Sequence, residues 1–89
     1  MKSRATKRFW DCFDALPPEI QQRARETYAR WLESPHHPSL RFGPVYSTRP
    51  IYSVRIGRGW RALGIKADET IIWYWIGSHA EYDRLLSDA

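Results

Sequence analysis

Hydrophobic positions in the first part of the chain recur at the spacing of a helix. One stripe, at i, i+3, i+4 and i+7, consists of Phe9, Cys12, Phe13 and Leu16. Residues at this spacing lie on one face of an α-helix and can be buried together. The pattern therefore predicts a first helix from about Ser3 to Leu16.

A second helical pattern follows the Pro17-Pro18 pair. Pro18 suits the first turn of a helix, and Glu19 complements the positive N-terminal end of the helix. The apolar face of this segment is then lined by Ile20, Ala24, Tyr28, Trp31 and Leu32. We predict a second helix that ends before Pro35, and the short connection between the two helices predicts that they run antiparallel.

From Leu40 onward the apolar positions alternate, and β-branched and aromatic residues become frequent, as is typical of strands. The pattern predicts four strands, at Leu40–Val45, Tyr52–Ile56, Trp60–Lys66 and Thr70–Ile76. Pro44 favours an edge position for the first of them. Gly57-Arg58-Gly59 predicts a hairpin, and the last strand, apolar on both faces, is expected to be covered on both sides.

The chain ends in a third helical pattern. Ser78 followed three residues later by Glu81 is a capping box, which predicts a short helix that continues through Tyr82, Leu85 and Leu86. The predicted fold class is α+β: two antiparallel N-terminal helices packed on a twisted, three- to four-stranded antiparallel sheet, with a short C-terminal helix. Residues 1–89 are expected to form a single domain, since a chain of this length supports one core.

Composition narrows the class of protein. Five Trp, five Tyr and three Phe among 89 residues supply a core without disulfides, and the single Cys12 is expected to behave as a small core residue. No apolar run approaches the roughly 20 residues of a membrane span, and the N-terminal residues are charged. We therefore expect a cytoplasmic protein that does not associate with a membrane.

Positive charge is concentrated in the middle of the chain. The net charge is +4, and residues 34–66 contain six Lys or Arg and no Asp or Glu. Arginine has a planar, forked group of donors that suits phosphate. The pattern predicts a polyanionic partner, RNA in the first place, although such a surface also serves solubility alone.

The predicted hairpin places two arginines side by side. With a three-residue turn, Arg55 lies directly opposite Arg61, on the sheet face turned away from the helices, and Arg58 stands at the tip. Like charges opposite each other are unfavourable, which suggests that an anion binds over the pair. A two-residue turn would place Arg55 and Arg61 on opposite faces, and the sequence leaves this alternative open.

His79 and Tyr82 lie three residues apart at the start of the last helix, on one face and near Arg61. Histidine and tyrosine can move or orient protons, so this set suits phosphodiester cleavage. The alternative is that Tyr82 packs with Leu85 and Leu86 and that His79 has no chemical role.

The remaining candidates favour neither a metal nor a cofactor. His36 and His37 lack further ligands at metal-binding spacing, and no glycine-rich phosphate loop is present. Trp73 and Trp75 could stack on bases, but a place in the core is the simpler interpretation.

The sequence resembles toxins of the RelE/ParE superfamily over nearly its whole length. The segments that carry the resemblance are Leu16–Glu19, His37–Leu40, Ile51–Gly64 and Trp75–Tyr82. The resemblance implies two helices on a twisted antiparallel sheet, and a protein made together with a neutralising antitoxin. The family pattern also begins with a strand, but Met1 to Ala5 is too short and polar to predict one.

The resemblance further implies a function, that of the toxin of a type II toxin–antitoxin system which cleaves mRNA on the ribosome. By position it assigns Arg61, His79 and Tyr82 as catalytic residues. We add as RNA-binding residues Arg49, Arg55, Arg58 and Lys66. Nuclease members often carry lysines or a glutamate where this chain offers only Arg49, so a general base is not evident.

Two alternatives to the nuclease remain open at the level of sequence. One is a non-enzymatic inhibitor of DNA gyrase, as in the ParE branch of the superfamily, for which a general base is unnecessary. The other is a degenerate binding module without toxicity, whose arginines bind an acidic peptide.

Overall fold

The computed structural model describes residues 1–87, so the last two residues of the predicted domain lie outside the described part. The strands and helices follow in the order β1 (Lys2–Ala5), α1 (Lys7–Asp14), α2 (Pro18–Glu33), β2 (Gly43–Pro44), β3 (Ile51–Arg55), β4 (Trp60–Ala67), β5 (Thr70–Ser78) and α3 (His79–Ser87). The strands form one sheet in the order β1-β5-β4-β3-β2. The predicted α+β class is confirmed, with a larger sheet than the three or four strands expected.

The additional strand is β1, which the sequence pattern assigned to the first helix. It pairs in parallel with β5, from Lys2 opposite Thr70 to Ala5 opposite Trp73. The Lys2 amide donates to Glu69 O at 2.9 Å, and the Thr6 amide donates to Trp73 O at 3.0 Å. β1 is polar because it lies at the edge of the sheet, and its pairing with a distant strand holds it in place.

The first helix is therefore shorter than predicted at both ends. It begins after Thr6, whose Oγ1 accepts a hydrogen bond from the Phe9 amide at 3.2 Å, as an N-cap does. It ends at Asp14, because the Leu16 amide bonds to Phe13 O, three residues back, in a tighter turn. The second helix, Pro18–Glu33, has the predicted bounds.

The predicted strand Leu40–Val45 is reduced to two residues, Gly43–Pro44. Before it, residues 38–40 form a single 3₁₀ turn, and Arg41 has a left-handed backbone with φ of 46°. His37 caps this turn, since its Nδ1 accepts from the Ser39 amide at 3.2 Å. The predicted edge position of Pro44 is confirmed, because β2 is the outermost strand opposite β1.

The core lies between the two N-terminal helices and one face of the sheet. Its centre is aromatic: the Trp31 ring, 1% exposed, stands edge-on to the rings of Phe42 and Trp73 and stacks on Tyr28. The buried apolar residues around it are Phe13, Leu16, Ile20, Ala24, Leu40, Val54, Ile56, Ala62, Ile71 and Ile76. Within residues 1–87, no helix is both long and apolar enough to cross a membrane.

A β-bulge in β5 places its two central tryptophans on opposite faces of the sheet. Leu63 pairs with Trp75 while Gly64 pairs with Trp73, so Tyr74 is the extra residue. The bulge directs Trp73 into the core, whereas Trp75, 5% exposed, is buried on the other face. Both tryptophans are interior residues and are not available to stack on bases.

Gly64, next to the bulge, provides the space into which the Trp73 ring packs. A β-carbon at Gly64 would lie 2.6 Å from Ile71 Cγ2 and 2.9 Å from Trp73 Cε3. We expect Gly64→Ala to lower the free energy of unfolding by about 1–3 kcal/mol, the usual cost of overpacking. Urea denaturation measures this loss. Gly43→Ala is the matched control, because a β-carbon there meets nothing within 4 Å; equal stability of the two variants would contradict the prediction.

Candidate functional site

The β3–β4 hairpin sets the position of the two central arginines. The Ile56 amide donates to Trp60 O at 3.0 Å, which closes a three-residue turn, and its glycines Gly57 and Gly59 have φ of 58° and 88°. Arg55 consequently pairs with Arg61. The predicted register is confirmed, and the alternative two-residue turn is excluded.

Both arginines lie on the sheet face opposite the core. Their strand neighbours Val54 and Ala62 are buried under the helices, and alternation along the strands points Arg55 and Arg61 the other way. We call this surface the arginine face and define it by Ser53, Arg55, Arg61, His79 and Tyr82.

The guanidinium groups of the arginine face have no carboxylate partner among residues 1–87. The ion pairs in that part of the chain join Lys7 to Asp11 and His79 to Asp83. Arg55 Nε donates to Gly57 O at 3.2 Å, and the guanidinium of Arg61 lies over the Tyr82 ring, 5.8 Å from its centroid. Two adjacent, half-buried cations that lack an anionic partner among these residues favour the binding of an anion.

The C-terminal helix brings His79 and Tyr82 to this pair. The helix begins where β5 ends, and the His79 amide donates to Gly59 O in the hairpin at 2.7 Å. The His79 and Tyr82 rings stack with centroids 5.7 Å apart, and the Tyr82 hydroxyl donates to Ser53 Oγ at 3.5 Å. The structure thus brings together Arg55, Arg61, His79 and Tyr82, although their chemical roles stay predictions.

Two residues near the site were not singled out from the sequence. Ser53 precedes Arg55 by two positions, so the alternation of a strand places both on one face. Asp83 lies four residues after His79, and its Oδ2 is 3.7 Å from His79 Nε2. The sequence contains both spacings, two residues in a strand and four in a helix. Neither residue could be assigned to the site from the sequence, because the direction of the last helix relative to the sheet was not known.

The capping box fixes the start of the C-terminal helix. Ser78 Oγ accepts from the Glu81 amide at 3.2 Å, and Glu81 Oε1 accepts from the Ser78 amide at 3.3 Å. The predicted capping role of both residues is confirmed. Gly77 lets the helix approach the sheet opposite Arg61, because a β-carbon there would meet Trp75 Cζ2 at 2.5 Å and Glu81 Oε1 at 3.2 Å.

The other predicted RNA-binding residues lie outside the arginine face. Arg58 is exposed at the hairpin tip. Arg49 lies in the loop before β3, with its guanidinium 5.2 Å from the Tyr46 ring centroid. Lys66 pairs with the core residue Ile71 and lies over the Tyr52 ring, which puts it on the helix side of the sheet, away from the arginine face.

The histidines of the Pro-flanked loop serve the local structure. His37 caps the 3₁₀ turn, and the His36 ring packs beside Phe42 at 6.1 Å between centroids. Across residues 1–87 no group of three or more His, Cys, Asp or Glu side chains is arranged to hold a metal ion.

Burial raises the pKa of Tyr74, the bulge residue, and the nearby Arg8 guanidinium offsets part of this effect. The folded state therefore favours the neutral phenol of Tyr74. Because the unfolded state has the lower pKa, the stability gained from the neutral phenol is fully present at neutral pH and is lost as the pH rises through the raised pKa.

Comparison with known proteins matches the chain to one family model and to several solved structures. The family model described as "ParE-like toxin domain" matches residues 18–84. No functionally curated protein matches the sequence significantly.

Solved structures share the fold at low sequence identity. A chain of the RelB–RelE antitoxin–toxin complex from Methanococcus jannaschii is 18% identical, with a TM-score of 0.72, over 91% of this chain and 96% of that one. A chain of the RelBE2 toxin–antitoxin complex from Mycobacterium tuberculosis is 21% identical, with a TM-score of 0.69, over 88% of this chain and 96% of that one. A mutant of the toxin RelE from E. coli in the free state is 18% identical, with a TM-score of 0.69, over 99% of this chain and 92% of that one.

Proposed function

Since the chain belongs to the ParE-like toxin domain family, within the RelE/ParE superfamily, we propose that it is the toxin of a type II toxin–antitoxin system and that it cleaves mRNA on the ribosome. The family membership supports the first part of this proposal. The arginine face is the observation that carries the second part.

The arginine face suits the charge that develops during phosphodiester cleavage. The 2′-hydroxyl of the RNA attacks the adjacent phosphorus, the bond to the 5′-oxygen breaks, and the products are a 2′,3′-cyclic phosphate and a free 5′-hydroxyl. Negative charge increases on the non-bridging phosphate oxygens in the transition state. Preorganised donors at that position stabilise the transition state, and Arg61 with Arg55 supplies them.

The rings of His79 and Tyr82, beside the arginines, are the candidates for proton transfer. The 2′-hydroxyl must lose a proton, and the departing 5′-oxygen must gain one. His79 is exposed, with its Nε2 3.7 Å from Asp83 Oδ2, so it is accessible for proton exchange with a bound substrate. Tyr82 is half-buried between Arg61 and Ser53, a place suited to orienting the phosphate or relaying a proton.

We also propose that a cognate antitoxin neutralises the protein. The M. jannaschii and M. tuberculosis structures with the same fold are toxin–antitoxin complexes. A net charge of +4 favours an acidic or amphipathic antitoxin.

Inhibition of DNA gyrase without catalysis is a second candidate function. The matching family model is of the ParE-like kind. Of the two carboxylates beside the arginine face, Glu81 is engaged in the helix cap and Asp83 lies against His79, so neither is placed next to the arginine pair as a general base. Binding to gyrase would require the cationic surface and not the proton transfers.

Induced expression in a bacterial host distinguishes the two targets. We expect growth to stop, with new 5′-hydroxyl mRNA ends inside coding regions that are being translated and with plasmid supercoiling unchanged. Relaxed plasmid together with intact mRNA would support the gyrase candidate instead. Unimpaired growth with soluble, folded protein would contradict both.

A further inference from the structure

An arginine of the second helix lies against the tip of the β3–β4 hairpin. Arg23 is exposed on α2, and its side chain extends across Gly57 in the turn. A β-carbon at Gly57 would lie 2.6 Å from Arg23 Cδ and 3.1 Å from Arg23 Nη1. The absence of a side chain at Gly57 therefore leaves the space that Arg23 occupies, and this contact joins α2 to the hairpin that carries the arginine pair.

Two guanidinium groups meet at Gly57 from different elements. Arg55 Nε, on the arginine face, donates to Gly57 O at 3.2 Å, while the Arg23 guanidinium lies beside the α-carbon of the same residue. Arg58 follows in the turn and is exposed. Because the turn is three residues long, Arg23 and Arg55 are separated there by the thickness of one chain. The cationic surface of the arginine face consequently continues around the hairpin tip to α2.

Arg23 has no anionic partner among residues 1–87, since the ion pairs in that part of the chain do not include it. Glu19 and Glu26 lie within about one helical turn of Arg23, but Glu26 Oε1 accepts from Gln22 Nε2 at 3.3 Å instead. The hairpin belongs to the stretch 34–66, which contains no Asp or Glu. An unpaired guanidinium that extends a cationic surface favours the binding of a further phosphate.

We propose that Arg23 binds the RNA backbone at a phosphate adjacent to the one that Arg55 and Arg61 bind, so that the strand crosses the hairpin tip toward α2. The inference rests on the proposed function, because it concerns the same substrate. A single strand is flexible and follows a positively charged surface, whatever its base sequence. Arg23 therefore contributes affinity for the strand, whereas Arg61 stabilises charge in the transition state.

Binding of an RNA that cannot be cleaved tests the proposal. An end-labelled single strand of about ten nucleotides with 2′-O-methyl sugars lacks the nucleophile, and fluorescence anisotropy measures its affinity from about 50 to 200 mM salt. Arg23→Gln keeps the aliphatic stem beside Gly57 and removes the charge. We expect an affinity about three- to five-fold lower, as for the loss of one exposed ion pair, and a slope of log K against log salt concentration smaller by about 0.7, the contribution of one phosphate contact.

Two matched variants control for general effects of charge and packing. Arg23→Lys keeps the charge and should keep the wild-type slope. Arg30→Gln removes the same charge about 10 Å farther along α2 and should keep it too. A wild-type slope in Arg23→Gln, or an equal reduction in Arg30→Gln, would overturn the proposal. An effect of Arg23→Gln confined to ribosomes without mRNA would assign the contact to ribosomal RNA and overturn it as well.

The proposed function has a separate readout. In mRNA cleavage on translating ribosomes, Arg23→Gln is expected to raise KM about three- to five-fold and to leave kcat unchanged, whereas Arg61→Ala lowers kcat. A lower kcat for Arg23→Gln with unchanged KM would contradict its assignment as a binding residue. Intact mRNA with the wild-type protein contradicts the proposed function, while the salt slope still decides whether Arg23 binds the strand.

Discussion

Replacing Arg61 with alanine is expected to remove the growth arrest that the proposed function predicts for the wild-type protein. Arg61 lies at the centre of the arginine face, opposite Arg55 in the sheet and against the Tyr82 ring. Loss of a single preorganised donor to a developing oxyanion lowers a reaction rate by roughly 10²–10³-fold. We expect a comparable fall in the rate of mRNA cleavage, measured with purified protein, and recovery of colony formation after induction.

The same substitution should leave the fold intact. Arg61 has no carboxylate partner among residues 1–87, so its removal relieves a repulsion of a few tenths of a kcal/mol from Arg55 and loses the contact with the Tyr82 ring, about 0.5–1 kcal/mol. Because these effects oppose each other, urea denaturation should give a stability within about 1 kcal/mol of that of the wild type. Arg30→Ala, an exposed arginine on α2, is the matched control and should stay toxic. Full toxicity of Arg61→Ala would exclude the arginine face as the site.

Replacing Trp31 with alanine is expected to cause the largest loss of stability. The ring is 1% exposed and contacts Tyr28, Phe42 and Trp73. Truncation of a buried tryptophan costs about 3–5 kcal/mol, through lost burial and the cavity that remains. In a small domain with a total stability of roughly 5–15 kcal/mol this is a major fraction. Urea denaturation followed by far-ultraviolet circular dichroism measures it without relying on tryptophan fluorescence.

Trp10→Ala provides the comparison for this prediction. Trp10 is 50% exposed and touches Phe9 and Phe13 only edge-on, at 5.2 and 5.5 Å between ring centroids. Its replacement should cost well under half as much as that of Trp31, since exposed side chains contribute little to stability. Similar losses for both variants would contradict the placement of Trp31 at the centre of the core.

The parts of the fold that could be predicted are those encoded by neighbouring residues. The apolar stripe from Ile20 to Trp31 and Pro18 defined the second helix, and Ser78 with Glu81 defined the start of the third. The β3–β4 hairpin was also predictable, because consecutive residues encode its turn. Its glycines set the turn, and the turn sets the register that aligns Arg55 with Arg61.

The parts that could not be predicted depend on distant partners. β1 is polar and four residues long, and only its parallel pairing with β5, about seventy residues later, makes it a strand. The bulge at Tyr74 likewise results from the pairing of two strands.

The decisive measurement is cleavage of a defined mRNA by the purified protein on translating ribosomes. We expect fragments that end in a 2′,3′-cyclic phosphate with the wild type, only when ribosomes are present, and far fewer with Arg61→Ala. Intact mRNA after incubation with folded wild-type protein would contradict it.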